Sequence, residues 1–150
     1  MDSEGLYIVA NSIEFQLITS RIFQKNIPHV PIRFFGGSNE LIDLLSAPET
    51  EQLPSVIILV MNNPGADVIQ ILARLKNPVD LNTEYLRRIP VIILTGEKYN
   101  LEVADCYRAG ANAVLSKPED KEKLTKTFES ICDFWININK GPEFRRQSLF

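Results

Sequence analysis

At 150 residues, with 16 Lys and Arg against 19 Asp and Glu, the chain has the length of one domain and a formal net charge of -3, which gives no electrostatic pull toward nucleic-acid phosphates. Hydrophobic residues at 45% and charged ones at 23% are ordinary globular values. A chain of this size buries roughly 68 to 70% of its unfolded surface, so neither disorder nor a second domain is required.

Leu6-Tyr7-Ile8-Val9 is continuously apolar, as a strand buried on both faces should be, and predicts the first strand. Ser12 then offers a hydroxyl to the opening turn of a helix that carries Ile13, Leu17 and Ile18 on one side and ends before Pro28. Val30 to Phe35 predicts a weaker second strand, followed by the Gly36-Gly37 turn and a short helix from Glu40 to Leu45. Val56-Ile57-Ile58-Leu59-Val60 predicts a third strand, which empties into Met61-Asn62-Asn63-Pro64-Gly65, a loop without acid, thiol or hydroxyl. A third helix fits Ala66 to Leu75, with Val68, Ile71, Leu72 and Leu75 on its apolar face.

Asn77 to Ile89 contains Pro78, Asp80 and Asn82 and reads as a connection too polar for the core, a loop or a short turn of helix. Val91-Ile92-Ile93-Leu94 predicts the fourth strand, and a fourth helix from Leu101 to Arg108 closes at Gly110. Ala113 to Ser116 is the fifth strand. The fifth helix starts at Pro118, with Glu119 and Asp120 at its positive end, and runs to about Asn139. Its Leu124, Phe128, Ile131, Trp135 and Ile138 recur at helical spacing and face the sheet. Residues 5–139 are thus expected to form one domain, and residues 140–150, beginning at Gly141-Pro142, a flexible tail.

Five strands alternating with five helices require parallel pairing through right-handed crossovers. The expected architecture is α/β: a doubly wound five-stranded parallel sheet of order 2-1-3-4-5 in a flavodoxin-like three-layer sandwich. Such sheets hold ligands beyond the carboxyl ends of their strands. Those ends carry Ala10 and Asn11, Val60 and Met61, and Thr95 and Gly96, which leaves the expected crevice almost without reactive groups.

Three segments in this order, Asn62-Asn63-Pro64-Gly65, Ile93-Leu94-Thr95-Gly96 and Ala109-Gly110-Ala111-Asn112-Ala113-Val114-Leu115-Ser116-Lys117-Pro118, resemble a response-regulator receiver domain of the CheY-like superfamily. The long connection before Arg88-Ile89-Pro90 and the closing Phe134-Trp135 resemble single-domain regulators associated with phytochromes. The resemblance implies a phosphoacceptor aspartate at the end of the third strand, where this chain has Val60. It implies acidic metal ligands where Ala10 and Asn11 stand, and a metal-binding carbonyl at Asn62. It assigns Thr95 and Lys117 to the retained phosphoryl-contacting hydroxyl and lysine, Pro118 to a residue after a cis peptide, and Val114 to the aromatic switch position. An isopropyl group cannot attack phosphorus, and Mg²⁺ needs hard charged oxygens. The expectation is a degenerate pseudo-receiver with no metal, no cofactor and no enzymatic activity.

Other groups have plain readings. Thr95 suits a hydroxyl bonded to backbone, Lys117 either an anion or solvent and Asp67, and Asp67 the first turn of a helix. His29 suits a turn, and Arg145-Arg146-Gln147-Ser148 a solvated tail. Cys106 and Cys132, two widely spaced thiols, suit helix packing in a reduced setting rather than a disulfide framework or metal site. Trp135 is expected in the core, whereas Phe134, Tyr107 and Glu102 are candidate interface residues. The start Met1-Asp2-Ser3-Glu4 is unlike a signal peptide and no apolar stretch approaches the roughly 20 residues of a membrane span, so a cytoplasmic protein is expected.

The leading expectation is a two-component signalling domain that binds a histidine kinase or another response regulator without accepting phosphate. A homodimer through the fourth helix, fifth strand and fifth helix fits the same reading. The alternatives are phosphorylation at a non-standard residue and a small-molecule or nucleotide-binding flavodoxin-like protein. Against the latter, Asn11-Ser12-Ile13-Glu14 lacks the glycines that cradle a phosphate at a helix start.

Overall fold

The computed structural model describes residues 5–47, 53–61, 66–78, 81–96 and 103–138. Five parallel strands, β1 (Leu6–Val9), β2 (Ile32–Phe35), β3 (Val56–Met61), β4 (Val91–Thr95) and β5 (Ala113–Ser116), pair in the order β2-β1-β3-β4-β5. Helices α1 (Ile13–Asn26), α2 (Ser38–Ser46), α3 (Ala66–Lys76), α4 (Val103–Ala109) and α5 (Lys121–Cys132) alternate with them. The expected α/β sandwich and strand order are therefore observed.

Alternation along the strands sorts the core into two layers. Tyr7, Val9, Ile57, Leu59, Val91 and Ile93 join Leu41, Leu72 and Leu75 of α2 and α3 on one face. Leu6, Ile8, Val56, Ile58, Ile92 and Leu94 join Phe15, Ile22 and Phe128 of α1 and α5 on the other. The central strands are continuous apolar runs because both of their faces are covered.

Several expected details differ. In α1 the buried face is Phe15, Thr19, Ile22 and Phe23, whereas Ile13 and Leu17 are exposed. The aromatics win the inner positions because Phe15 and Phe23 pack against Phe128, with ring centroids at 6.4 and 5.2 Å. Helix α2 begins at Ser38, two residues earlier than expected, and buries Leu41, Ile42 and Leu45. Helix α5 begins at Lys121 rather than Pro118, because Asp120 takes the N-cap role and its carboxylate accepts from Glu122 N–H at 3.2 Å. Beyond Cys132 the winding widens to a π-helical turn, Asp133–Ile138, which leaves Trp135 half-buried at the core margin instead of inside it.

The connection before β4 forms the short helical turn expected, but it contributes to the core where only polar surface was expected. Residues Leu81–Arg88 form 3₁₀ turns broken at Thr83, and Tyr85, Leu86 and Ile89 are buried. Its surface pattern is polar, yet the Tyr85 hydroxyl donates to the Leu45 carbonyl at the end of α2, which satisfies the one polar atom that this ring carries inward. Lys76 ties the same segment to α3 by donating to the Ile89 and Arg87 carbonyls at 2.7 and 3.1 Å. Burial lowers its pKa from 10.5 to about 8. The stem of Lys76 lies under Gly110, whose φ of +117° closes α4; a Cβ there would stand 2.6 Å from Lys76 Cγ.

Candidate functional site

The parallel register brings the predicted site residues to one edge of the sheet. Val9 pairs with Leu59, Val60 with Leu94, Met61 with Thr95, and Thr95 with Ser116, so Ala10, Val60, Thr95 and Lys117 lie at neighbouring strand ends. The Lys117 N–H donates to the Thr95 carbonyl at 2.8 Å and carries the ladder one step further.

At the end of β1, Ala10 is 2% exposed and its backbone is fully used. Its N–H donates to the Phe35 carbonyl at 2.9 Å, and its own carbonyl accepts from Gln16 Nε2 at 2.7 Å. Gln16 reaches back because α1 starts at once: the Ser12 hydroxyl accepts from Phe15 N–H at 3.1 Å and fixes the first turn. Asn11 is exposed. Val60 is 7% exposed and belongs to the apolar layer with Ala10, Phe15 and Leu94.

Thr95 is half-buried, and its hydroxyl stands 3.5 Å from the Gly96 carbonyl. Lys117 is also half-buried, with Nζ 5.3 Å from the centroid of the Phe15 ring, a cation–π contact. All peptide bonds among the described residues are trans. This corrects the cis bond expected before Pro118; the trans form is the favoured one for an X–Pro bond, and it suits a β5 that continues straight into Lys117. Val114, which the resemblance matches to the switch position, is half-buried, and its N–H donates to the Tyr107 hydroxyl at 3.0 Å. Tyr107 and Phe134 are each 49% exposed, and Phe134 stands edge-on to Trp135 at 4.9 Å. Asn62, Glu102 and the tail beyond residue 139 lie outside the described residues.

The donor set does not fit Mg²⁺. At the positions matched to acids the chain presents a methyl, a neutral amide and an isopropyl group, where the ion needs several charged oxygens. Among the described residues no group of three His, Cys, Asp or Glu side chains is placed to hold a metal. The thiols are buried away from the site, and burial raises Cys132 to about 12, which makes it unreactive as a nucleophile. His29 sits exposed in a turn, as expected. Among the described residues no helix is long and apolar enough to cross a membrane.

Sequence reasoning missed the polar rim of the crevice. Arg74, from the last turn of α3, donates to Asn39 Oδ1 at the start of α2 at 3.1 Å across a gap of 35 positions. Gln70 and Asn39 line the same crevice as Asn11 and Val60. A polar residue on an exposed helix face carries no signal of this kind until the helices are docked.

No family model matches the chain. The "Probable methanogenesis regulatory protein FilR2" of Methanothrix harundinacea (strain 6Ac) is 31% identical over 90 residues, 60% of this chain and 55% of that protein. Response regulator Rcp1 of Synechocystis sp. (strain ATCC 27184 / PCC 6803 / Kazusa) is 32% identical over 94 residues, 63% of this chain and 60% of that protein. The chain thus matches little more than half the length of these curated relatives. The crystal structure of the Mn²⁺-bound form of Rcp1 superposes with a TM-score of 0.72 at 21% identity, over 93% of this chain and 99% of that one. The phosphorylated cyanobacterial phytochrome response regulator RcpA superposes with a TM-score of 0.75 at 20% identity, over 95% of this chain and 100% of that one. Topology, strand register and these near full-length superpositions agree: the chain has the receiver fold of response regulators.

Proposed function

We propose that this chain is a two-component signalling module that works by binding a protein partner, a histidine kinase or another response regulator, and does not accept a phosphoryl group. The observation that carries this reading is Val60: a buried isopropyl group stands at the strand end where a receiver holds its acceptor carboxylate. Its surroundings agree. The Ala10 carbonyl is capped by Gln16, and the Lys117 ammonium rests on the Phe15 ring. Among the described residues no cluster of carboxylates stands at these strand ends to repel itself.

Two exposed apolar areas supply surfaces for partners. Ile13 and Leu17, 68% and 54% exposed, stand one turn apart on α1. Tyr107 and Phe134 belong to the α4, β5 and α5 side, which is also the face for a homodimer. Two free buried thiols suit a reducing cytoplasmic setting.

The test is intact-protein mass spectrometry after incubation with acetyl phosphate and Mg²⁺, and with a histidine kinase taken from the source cell. An unchanged mass is the expected result, together with capture of the kinase or a second regulator by the immobilised chain. A phosphoryl adduct, localised to any residue, overturns the phosphate-independent reading and supports acceptance at a non-standard position.

A further inference from the structure

A cavity of about 350 Å³ opens at the carboxyl end of β1 and β3, between α2 and α3. Val9 and Ile71, 8% and 9% exposed, supply its apolar part. Asn11, Asn39, Gln70 and Arg74 supply its polar part. Among the described lining residues Arg74 is the one charged side chain. Its guanidinium is held by Asn39 Oδ1 at 3.1 Å, which uses one of five N–H donors. Glu40, next to Asn39 on α2, accepts from the Gly36 N–H at 3.2 Å.

From these residues the geometry points to a binding site for a small organic carboxylate with an apolar body. Sign and shape both select this ligand. A crevice that would hold a cation needs several carboxylates, and the described lining residues present amides and a guanidinium instead. A guanidinium fork matches a carboxylate in two parallel hydrogen bonds, and the side-chain amides donate to whatever oxygen is left over. The apolar floor removes hydrocarbon or ring surface from water, which a bare inorganic anion cannot exploit. A volume of about 350 Å³ is within the range of pockets that enclose small ligands. By contrast, the larger depression of about 900 Å³ between α1 and α5 is lined by Arg21, Lys25, Lys121 and Lys126 together with Asp120, Glu122 and Glu129, a set of mixed sign.

Val60 also lines this cavity, yet carboxylate binding requires neither a protein partner nor phosphate acceptance, so its test and the mass-spectrometric test above fail separately. The probe is benzoate, titrated into the full chain and followed by the side-chain amide and backbone signals of Asn11, Asn39 and Gln70 in ¹H–¹⁵N spectra. Saturable shifts at these residues are expected, with millimolar affinity as befits a ligand of few atoms. Benzamide, which keeps the ring and loses the charge, and Arg74→Gln, which keeps the helix and loses the cation, should each weaken binding at least about tenfold. Arg74 is exposed on α3, and the spectrum of the variant reports directly that it has folded. Inorganic phosphate should bind more weakly than benzoate. Absence of saturable shifts at these residues, or equal affinity of Arg74→Gln, overturns the site; equal binding of phosphate overturns the apolar-body requirement.

Discussion

Val60→Asp returns an acid to the end of β3, and the structure defines what that acid meets. Val60 is 7% exposed and sits in the α1/α5 layer with Ala10, Phe15 and Leu94. Removing the buried isopropyl group forfeits about 1.5–3 kcal/mol of apolar burial. Desolvation lifts the new carboxyl pKa above its ordinary value of about 3.9, and each unit of that rise adds about 1.4 kcal/mol at neutral pH. With a rise of roughly one to two units at this strand end, and up to about 1 kcal/mol recovered if Lys117 leaves the Phe15 ring to pair with the acid, the expected loss at pH 8 is about 3 kcal/mol. Because the folded pKa lies above the unfolded one, the electrostatic part is absent below the unfolded pKa and complete above the folded pKa. The deficit should therefore shrink between pH 8 and pH 5. Urea melts at both pH values, with and without millimolar Mg²⁺, measure it. Since Ala10 and Asn11 still withhold charge, Mg²⁺ should leave the midpoint unchanged. Rescue by about 2.7 kcal/mol, the gain expected at a hundredfold excess of ion over its dissociation constant, would refute the reasoning, as would wild-type stability at pH 8.

Gly5→Ala should be among the most damaging single changes, because φ is +76° and a Cβ would lie 1.9 Å from the Pro31 carbonyl oxygen; thermal melting should show a loss of about 3 kcal/mol or failure to fold. Thr19 is fully buried and its hydroxyl has no hydrogen-bond partner, so Thr19→Val should raise stability by about 1 kcal/mol in urea denaturation, and a loss of similar size would contradict the assignment. The lowered pKa of Lys76 means that the unfolded chain holds more protons between about pH 8 and 10.5, so this residue makes stability rise with pH across that window; the rise should be absent in Lys76→Met when the two chains are compared by denaturant midpoint. Tyr107→Phe removes the acceptor that holds the Val114 N–H, and exchange of that amide should quicken by a few-fold to about tenfold while neighbouring β4 amides keep their rates.

The fold is legible in the sequence because its central strands are unbroken apolar runs and its turns carry glycine or proline at the required places. The helix faces were harder to assign. Ile13 and Leu17 have the spacing of an inward stripe, but Phe15, Ile22 and Phe23 bury more area and take the inner side, a competition that depends on Phe128 far along the chain. The segment from Leu81 to Arg88 reads as polar surface, since its hydrogen-bonded anchors are the Leu45 carbonyl, 40 positions from Tyr85, and the Lys76 ammonium, which no local pattern marks. The strand-end positions Ala10, Val60, Thr95 and Lys117 are legible because parallel register aligns them. The Arg74–Asn39 pair is not, because nothing local marks an exposed arginine as the cation of a cavity until α2 and α3 are docked.

The proposed function requires a crevice that holds neither a divalent cation nor a phosphoryl group. Titration of the native chain with Mg²⁺ followed by beryllofluoride, monitored at the backbone amides of Val60, Met61, Thr95 and Lys117, tests it most directly. The account predicts that these signals stay where they are through both additions. Saturable shifts at these four amides, strengthened when beryllofluoride follows Mg²⁺, would contradict it.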